Sequence, residues 1–505
     1  MSNGCVILNL SIPSDPGGPR SASAWIAILE RGISIFVKHS IFVSLASVLL
    51  ALVLAGCAAA PDIPQPTLDE LMAEVNAEHQ SIQRDELDPT PYLRTSLSLE
   101  DQSKAGEYMT ETFSDYDPDL KLDHSQAVED VNYLFEACYY AYGLYDYFGG
   151  HPAFDAAQEA ILQDLEDQDT VTCQQLEQII ASHLGFIKDG HFSINQNHPA
   201  PFQIPFFFRQ TAFLKTENGY QTVDGKTVES VENHADLDEL FKRSISKQGQ
   251  IVYYPVLLKE AMFDGQSEFE KHTCDEELTV HYTDGTTETL TAEPWKQYFE
   301  QLSKNKNTEL RQTKGIPVFQ FNNFNTEYRD EILDGAEQLK DEPVSMLDLR
   351  SNTGGDSTMG DQWLSTYGNT GRSFPSNNES FSTLNGKSSG LSLPDKWISH
   401  DNLLILLAGK VSGSAAEDLI ENACNLENVL IVGENTFGSL LANAGYIELP
   451  NSKCSVTMSA SYVFLRPDSD PFEEFRGFEP DFWVPAGEAE ALAAKLIQRL
   501  SGAGE

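Results

Sequence analysis

Ser414 and His191 are the two side chains whose surroundings in this sequence suit nucleophilic chemistry. Ser414 lies in LLILLAGKVSGSAAEDLIEN, residues 403–422, where an apolar run gives way to a small-residue turn and then to a helix-patterned segment. The run Leu403–Leu407 is short enough for a strand buried on both faces, and Ala415, Leu419, Ile420 and Ala423 fall on one side of a helix. A strand that breaks through a tight turn into a helix holds a hydroxyl at the sheet edge. The free N–H groups of the helix N-terminus favour negative charge beside it. Ser414-Ala415-Ala416-Glu417 also reads as a capping box, serine at N-cap and glutamate at N3, which accounts for both residues without chemistry. His191 lies in GFIKDGHFSI, residues 185–194, where a glycine turn places it at the start of a short strand. A lone histidine more often serves structure than catalysis, yet a base beside a small residue at a turn is well exposed to a cleft. A third stretch, Arg350-Ser351-Asn352-Thr353-Gly354-Gly355-Asp356, follows a strand and precedes the helix-like segment 357–366. Its paired glycines let backbone N–H groups approach a ligand closely. The pattern is neither G-x-G-x-x-G nor a P-loop, so it reads as a phosphate site of another kind or as an oxyanion site.

These residues must be carried by several kinds of element. From Leu68 to about Leu184 the apolar spacing is helical: Leu68, Leu71, Met72 and Val75 form one stripe, and Val128, Val131, Leu134, Phe135, Cys138 and Tyr142 another behind a Ser125 cap. Segments 153–165 and 173–183 read as two more helices. Residues 201–294 are β-rich, with alternating runs at 250–254 and 278–282, a hairpin signal at Asp284-Gly285 and a turn at 223–228. They read as a small β domain inserted between two parts of the main body. From Gly315 an α/β pattern resumes, with strands at 316–321, 343–349 and 428–432, closing strands at 445–450 and 454–464, and a final helix over 487–500.

The chain has 505 residues, long enough for two or three domains. With 33 Lys+Arg against 77 Asp+Glu its net charge is −44, which argues against nucleic acid or an anionic membrane surface as a partner. The acidity reads as a solubility feature. None of the seven cysteines makes a C-x-x-C pair and the histidines are scattered, so neither a metal site nor a cofactor is expected. Residues 41–56, IFVSLASVLLALVLAG, suit a signal-peptide core and end in Leu54-Ala55-Gly56-Cys57, which resembles the bacterial lipobox. Cys57 is then the expected lipidated first residue of a mature chain lying outside the cytoplasmic membrane. The first 36 residues fit no signal-peptide layout, so translation is expected to start near Val37.

Four stretches in order resemble the C-terminal processing peptidases, the tail-specific protease and tricorn-core group of serine peptidases. They are Leu347-Asp348-Leu349-Arg350-Ser351-Asn352-Thr353-Gly354-Gly355, close to D-L-R-x-N-x-G-G; Ser412-Gly413-Ser414-Ala415-Ala416-Glu417, the nucleophile turn; Gly433-Glu434-Asn435-Thr436-Phe437-Gly438, similar to G-E-x-T-x-G; and Gly477-Phe478-Glu479-Pro480-Asp481, the closing G-x-x-P-D. The resemblance spans about 125–484. It implies an α/β fold: a ClpP/crotonase-like peptidase core with an N-terminal helical region and an inserted PDZ-like β domain. One branch of the family places a lysine directly after T-F-G, where this chain has Ser439. The histidine-using branch is matched by Asp189-Gly190-His191, with a glutamate before the closing motif for which Glu474 fits best and Glu473 second. Tricorn carries a serine before its histidine; here it is Gly190.

The resemblance thus implies Ser414 as nucleophile, His191 as general base and Glu474 as the group that orients the imidazole. The N–H of Ala415, with that of Gly354 or Gly355, would hold the oxyanion. The expected layout is a signal peptide over 1–56, a lipid-anchored linker over 57–67, a helical region over 68–199, the insert over 200–300 and the peptidase core over 301–505. The expected function is that of a lipid-anchored extracytoplasmic serine endopeptidase acting on a protein or peptide substrate. A peptide-binding protein without activity, or a hydrolase of a non-peptide ester or amide, are the alternatives.

Overall fold

The computed structural model describes residues 63–81, 87–262, 271–300, 302, 306–371, 373–388, 397–466 and 471–502. The signal segment and Cys57 lie outside the described residues. Besides short turns such as Ala105–Tyr108, four longer helices open the described chain: α1 (Leu68–Gln80), α2 (His124–Ala141), α3 (Gly150–Leu165) and α4 (Cys173–His183). Thr67 and Thr172 close capping boxes on α1 and α4. On α2 the cap is Asp123, whose carboxylate accepts the N–H of Gln126; Ser125, the expected cap, is already inside the helix. An Asx side chain before a Gln at N3 satisfies the same orphan donors a serine would.

The central sheet has six strands: β1 (Thr308–Thr313), β2 (Ile316–Phe321), β3 (Val344–Asp348), β4 (Leu403–Ala408), β5 (Val429–Gly433) and β6 (Phe482–Trp483), in spatial order as numbered. Only the β1–β2 pair is antiparallel. Helices α5 (Arg329–Leu339), α6 (Thr358–Tyr367) and α7 (Ala415–Ala423) connect the parallel strands and cover one face. The other face is covered by α1 and by α8 (Ala489–Leu500). This two-sided burial accounts for the unbroken apolar run of β4. Leu404, Leu406 and Ala408 pack under α6 and α7, whereas Leu403, Ile405 and Leu407 pack under α1 and α8. The α1 stripe of Leu71, Met72 and Val75 therefore belongs to the central sheet and not to the other N-terminal helices.

Helices α2 to α4 share a separate core with a second, antiparallel sheet. Its strands Glu379–Ser382, Ser455–Leu465 and Ala442–Glu448 lie in that order, and the two-residue strand Ser193–Ile194 pairs with Ser455–Leu465 through Val456 and Thr457. The β-rich segment after Pro201 folds as one sheet built on Phe202–Phe207 and Ile251–Ala261, and a second formed by Val228–Val231, Glu277–Tyr282 and Thr287–Thr291. The Asp284-Gly285 hairpin is present, Gly285 taking the positive φ (81°) that the turn requires. The aromatic core of this segment, including Phe202, Phe206 and Phe213, also takes in Phe475 from the closing loop.

Candidate active site

Ser414 stands between the C-terminal end of β4 and the first turn of α7, with φ 53° and ψ −119°. A non-glycine residue in that region is strained, and such strain persists only where the surroundings over-determine it. Here they do. Gly413 donates to the carbonyl of Asn352 (3.1 Å). Ser412 Oγ donates to the carbonyl of Leu349 (2.8 Å) while accepting the N–H of Gly409 (3.0 Å). The N–H of Ser414 itself donates to Glu417 Oε2 (3.0 Å).

That last bond is half of the capping box read from the sequence, but Glu417 does more. Fully buried, it also accepts the Thr436 hydroxyl (2.6 Å) and the N–H groups of Gly438 (2.7 Å) and Ser439 (2.8 Å). One carboxylate thus ties the nucleophile turn to the G-E-x-T-x-G loop. Ser414 Oγ turns instead to His191, 3.1 Å from Nε2.

His191 reaches the serine because α4 ends at His183 and the short strand at Ser193–Ile194 anchors the chain two residues beyond it. Asp189 fixes the turn between: Oδ1 accepts the N–H of His191 (2.9 Å), and Oδ2 accepts the Tyr142 hydroxyl (3.0 Å). Burial pushes the imidazole below its ordinary pKa, against the opposing pull of Asp189 and Glu417. The ring is therefore neutral at neutral pH, as a base must be. Among the described residues its buried Nδ1 has no hydrogen-bond partner.

Glu474 does not meet the role read for it in the expected way. Its carboxylate accepts the N–H groups of Gly190 (2.6 Å) and Leu440 (2.8 Å), and no hydrogen bond joins it to the imidazole. It holds the residue before His191 rather than the ring itself. Burial first, and then the charges of Asp189 and Glu417, push its pKa well up. Glu473 faces outward, its side chain 65% exposed beside Arg476. Gly190 is glycine because the loops are in contact: a Cβ there would lie 2.1 Å from the carbonyl oxygen of Gly438. A serine at that position has no room.

The oxyanion donors are narrowed as well. Gly354 sits against Ser414, where a Cβ would lie 2.7 Å from the serine Cβ, but its N–H is committed to Asn352 Oδ1 (2.9 Å). Among the described residues no hydrogen bond engages the N–H of Gly355 or Ala415, and both residues line the cleft with Ser414 and His191. Of the three expected donors, these two have N–H groups left for a ligand. Asp348 and Arg350 of the same motif point away from the cleft into a buried ion network. Arg350 donates to both oxygens of Asp348 (2.8 and 2.6 Å), joined by Arg311 (2.5 Å) and Glu490. That network sets the turn; it does not touch the chemistry.

The cleft holds about 790 Å3 and runs past Thr353, Val411, Phe437, Ser439, Leu440 and Tyr446. One residue beside it was missed from the sequence. Lys410, 2% exposed, directs its ammonium at four backbone carbonyls of the two loops that flank the site. A charged residue two positions past a wholly apolar strand was the available signal.

Residues 315–484 match the model of peptidase family S41. No curated protein matches the chain. Among solved structures, mature CPAF is similar at 12% identity and TM-score 0.38, covering 76% of this chain and 99% of its own. The photosystem II D1 C-terminal processing protease is similar at 14% and 0.34, covering 71% and 93%. A putative S41 protease from Bacteroides fragilis is similar at 14% and 0.33, covering 65% and 90%. The segment from the second core strand to the closing motif thus matches a peptidase family S41 domain, that of a serine-type peptidase.

Proposed function

We propose that this chain is a lipid-anchored extracytoplasmic serine endopeptidase with Ser414 as nucleophile and His191 as general base. The observation that carries the reading is the 3.1 Å approach of Ser414 Oγ to His191 Nε2 across 223 residues of sequence. Oγ attacks the carbonyl carbon of a peptide bond as its proton passes to Nε2. The oxyanion forms against the N–H groups of Gly355 and Ala415 at the start of α7, where the helix dipole adds to their effect. Collapse breaks the C–N bond, and the leaving amine takes the proton from Nε2. Water then repeats the cycle on the acyl-enzyme, releasing the acid and restoring the serine. Glu474 contributes by holding Gly190, and through it the His191 backbone.

A fluorophosphonate probe is expected to label Ser414 in the full chain and not in Ser414→Ala, and hydrolysis of an unfolded protein is expected to vanish in both Ser414→Ala and His191→Ala. Full activity in either variant defeats the assignment of that residue. A chain that binds peptide but takes no label is a binding protein on a peptidase fold. For the anchor, the L-A-G-C sequence ending at Cys57 is the support, and recovery of Cys57→Ser in the soluble fraction is the expected consequence.

A further inference from the structure

Lys410 lies two residues past β4 and four before the nucleophile. Its Nζ donates to the carbonyls of Thr436 (2.7 Å), Phe437 (3.0 Å), Phe475 (3.1 Å) and Arg476 (3.3 Å). An ammonium has three protons, so at least one is shared between acceptors. The two loops that supply these carbonyls are packed backbone to backbone. A Cβ on Gly438 would lie 2.5 Å from the nitrogen of Phe475, and one on Gly477 would lie 2.5 Å from the carbonyl oxygen of Thr436. Four carbonyl dipoles converging in a dry junction repel one another unless a cation sits among them.

Both loops bear on the chemistry. The first continues into Gly438 and Ser439, whose N–H groups meet Glu417. The second contains Phe475, held at φ 65°, and next to it Glu474, which grips Gly190 beside the base. We propose that Lys410 is a positioning residue of this site: its ammonium clamps the 436–437 and 475–476 carbonyls together, seats Glu474 against Gly190, and so sets His191 at hydrogen-bonding distance from Ser414. The proposal rests on the serine peptidase reading above and adds a group to it that touches neither substrate nor reacting atoms.

The clamp depends on charge. The charged and titratable groups facing Lys410 are Glu417 from α7, Glu434 from the end of β5 and Arg476 from the closing loop; the ring of Phe202 covers it at 5.6 Å, and His198 packs on that ring. Burial lowers the ammonium to about 7, opposed by Glu417 and Glu434 and assisted by Arg476. Below that pH the clamp is charged; above it the clamp is lost. Activity is therefore expected to fall on the alkaline side far below the ordinary lysine value of about 10.4.

The experiment follows peptide hydrolysis by the full chain from pH 5 to 10 in the wild type, Lys410→Met and Glu434→Gln. A misplacement of about 1 Å costs on the order of 100-fold, so Lys410→Met is expected to lose about that factor in kcat. KM should stay nearly level, and the alkaline limb should be gone. Glu434, itself raised to about 7, ionises over the same range, so Glu434→Gln removes the anion that favours the ammonium there and is expected to move the limb to lower pH. A purely structural lysine would reduce the amount of active enzyme and leave the limb in place. Wild-type kcat in Lys410→Met, a limb that survives in it, or a limb that Glu434→Gln leaves unmoved would overturn the proposal. Should Lys410→Met not fold, the Glu434→Gln shift decides. Activity retained in Ser414→Ala would instead strike the peptidase reading, so the two failures are distinct.

Discussion

His191 is kept neutral, as the proposed base must be, because it is dry. Removing water from around the ring disfavours its charged form, and this outweighs the nearby carboxylates of Asp189 and Glu417. As the proposed base, His191 must lose this proton before the free enzyme can act, so kcat/KM is expected to rise with pH through an inflection below the ordinary imidazole value of about 6.5. A pH profile of kcat/KM checks this, and an inflection above that value would mean the acids dominate. The serine and histidine were legible because each sits at a turn between patterned elements, and pattern is a local property. Glu474 was legible as a residue but not in its contacts: its carboxylate takes Gly190 and Leu440, 284 and 34 residues away, and spacing says nothing about such partners. Gly354 and Gly355 could not be told apart for the same reason, since an Asn352 side chain occupies one N–H and not the other. Asp348 and Arg350 show the converse case, motif residues whose task is to brace a turn.

At the level of elements, the site depends on a sheet that keeps its strands in register behind the turns. Ile405 is fully buried in the middle of β4, on the face under α1 and α8. Truncation to alanine leaves a cavity that close-packed neighbours fill only in part, so Ile405→Ala is expected to cost about 2–5 kcal/mol. Leu310→Ala on the edge strand β1, where the side chain is 48% exposed, is expected to change little, within about 0.5 kcal/mol. Urea unfolding of the two variants makes the comparison, and equal losses would contradict the two-sided burial of β4. The strands of this sheet were readable because runs buried on both faces are short, apolar and bounded by turn residues. Helix α1 was readable as a helix but not in its position, since an apolar stripe specifies that it is buried and not against what. The strand Ala442–Glu448 starts earlier than its sequence suggests. Asn443, Ala444 and Gly445 are poor strand formers that pairing with Ser455–Leu465 overrides.

Over the whole molecule, buried titrating groups set how stability depends on pH. Burial raises Glu434 and Asp361 to about 7 and Asp418 to about 6, and it raises Glu474 well above the usual carboxylate range. Each of these groups keeps its proton in the folded chain after the unfolded chain has lost it, so between about pH 4 and 7 the native state binds more protons and stability falls as pH rises. The net charge of −44 adds self-repulsion in the same direction. Asp348, held below the usual range by Arg350 and Arg311 against the effect of its burial, has the opposite sign. Its contribution is present above the unfolded pKa of about 4 and is lost as pH falls through the lower folded value. Stability should therefore peak on the acid side of neutrality and decline below about pH 4. Thermal unfolding of the full chain at pH 5 and pH 8 is expected to give the higher midpoint at pH 5, with a smaller gap in Asp361→Asn, which removes one of the raised groups. A midpoint higher at pH 8 would show that the raised carboxyls do not govern stability over this range, and that the lowered ammonium of Lys410, which favours the folded chain above about pH 7, outweighs them.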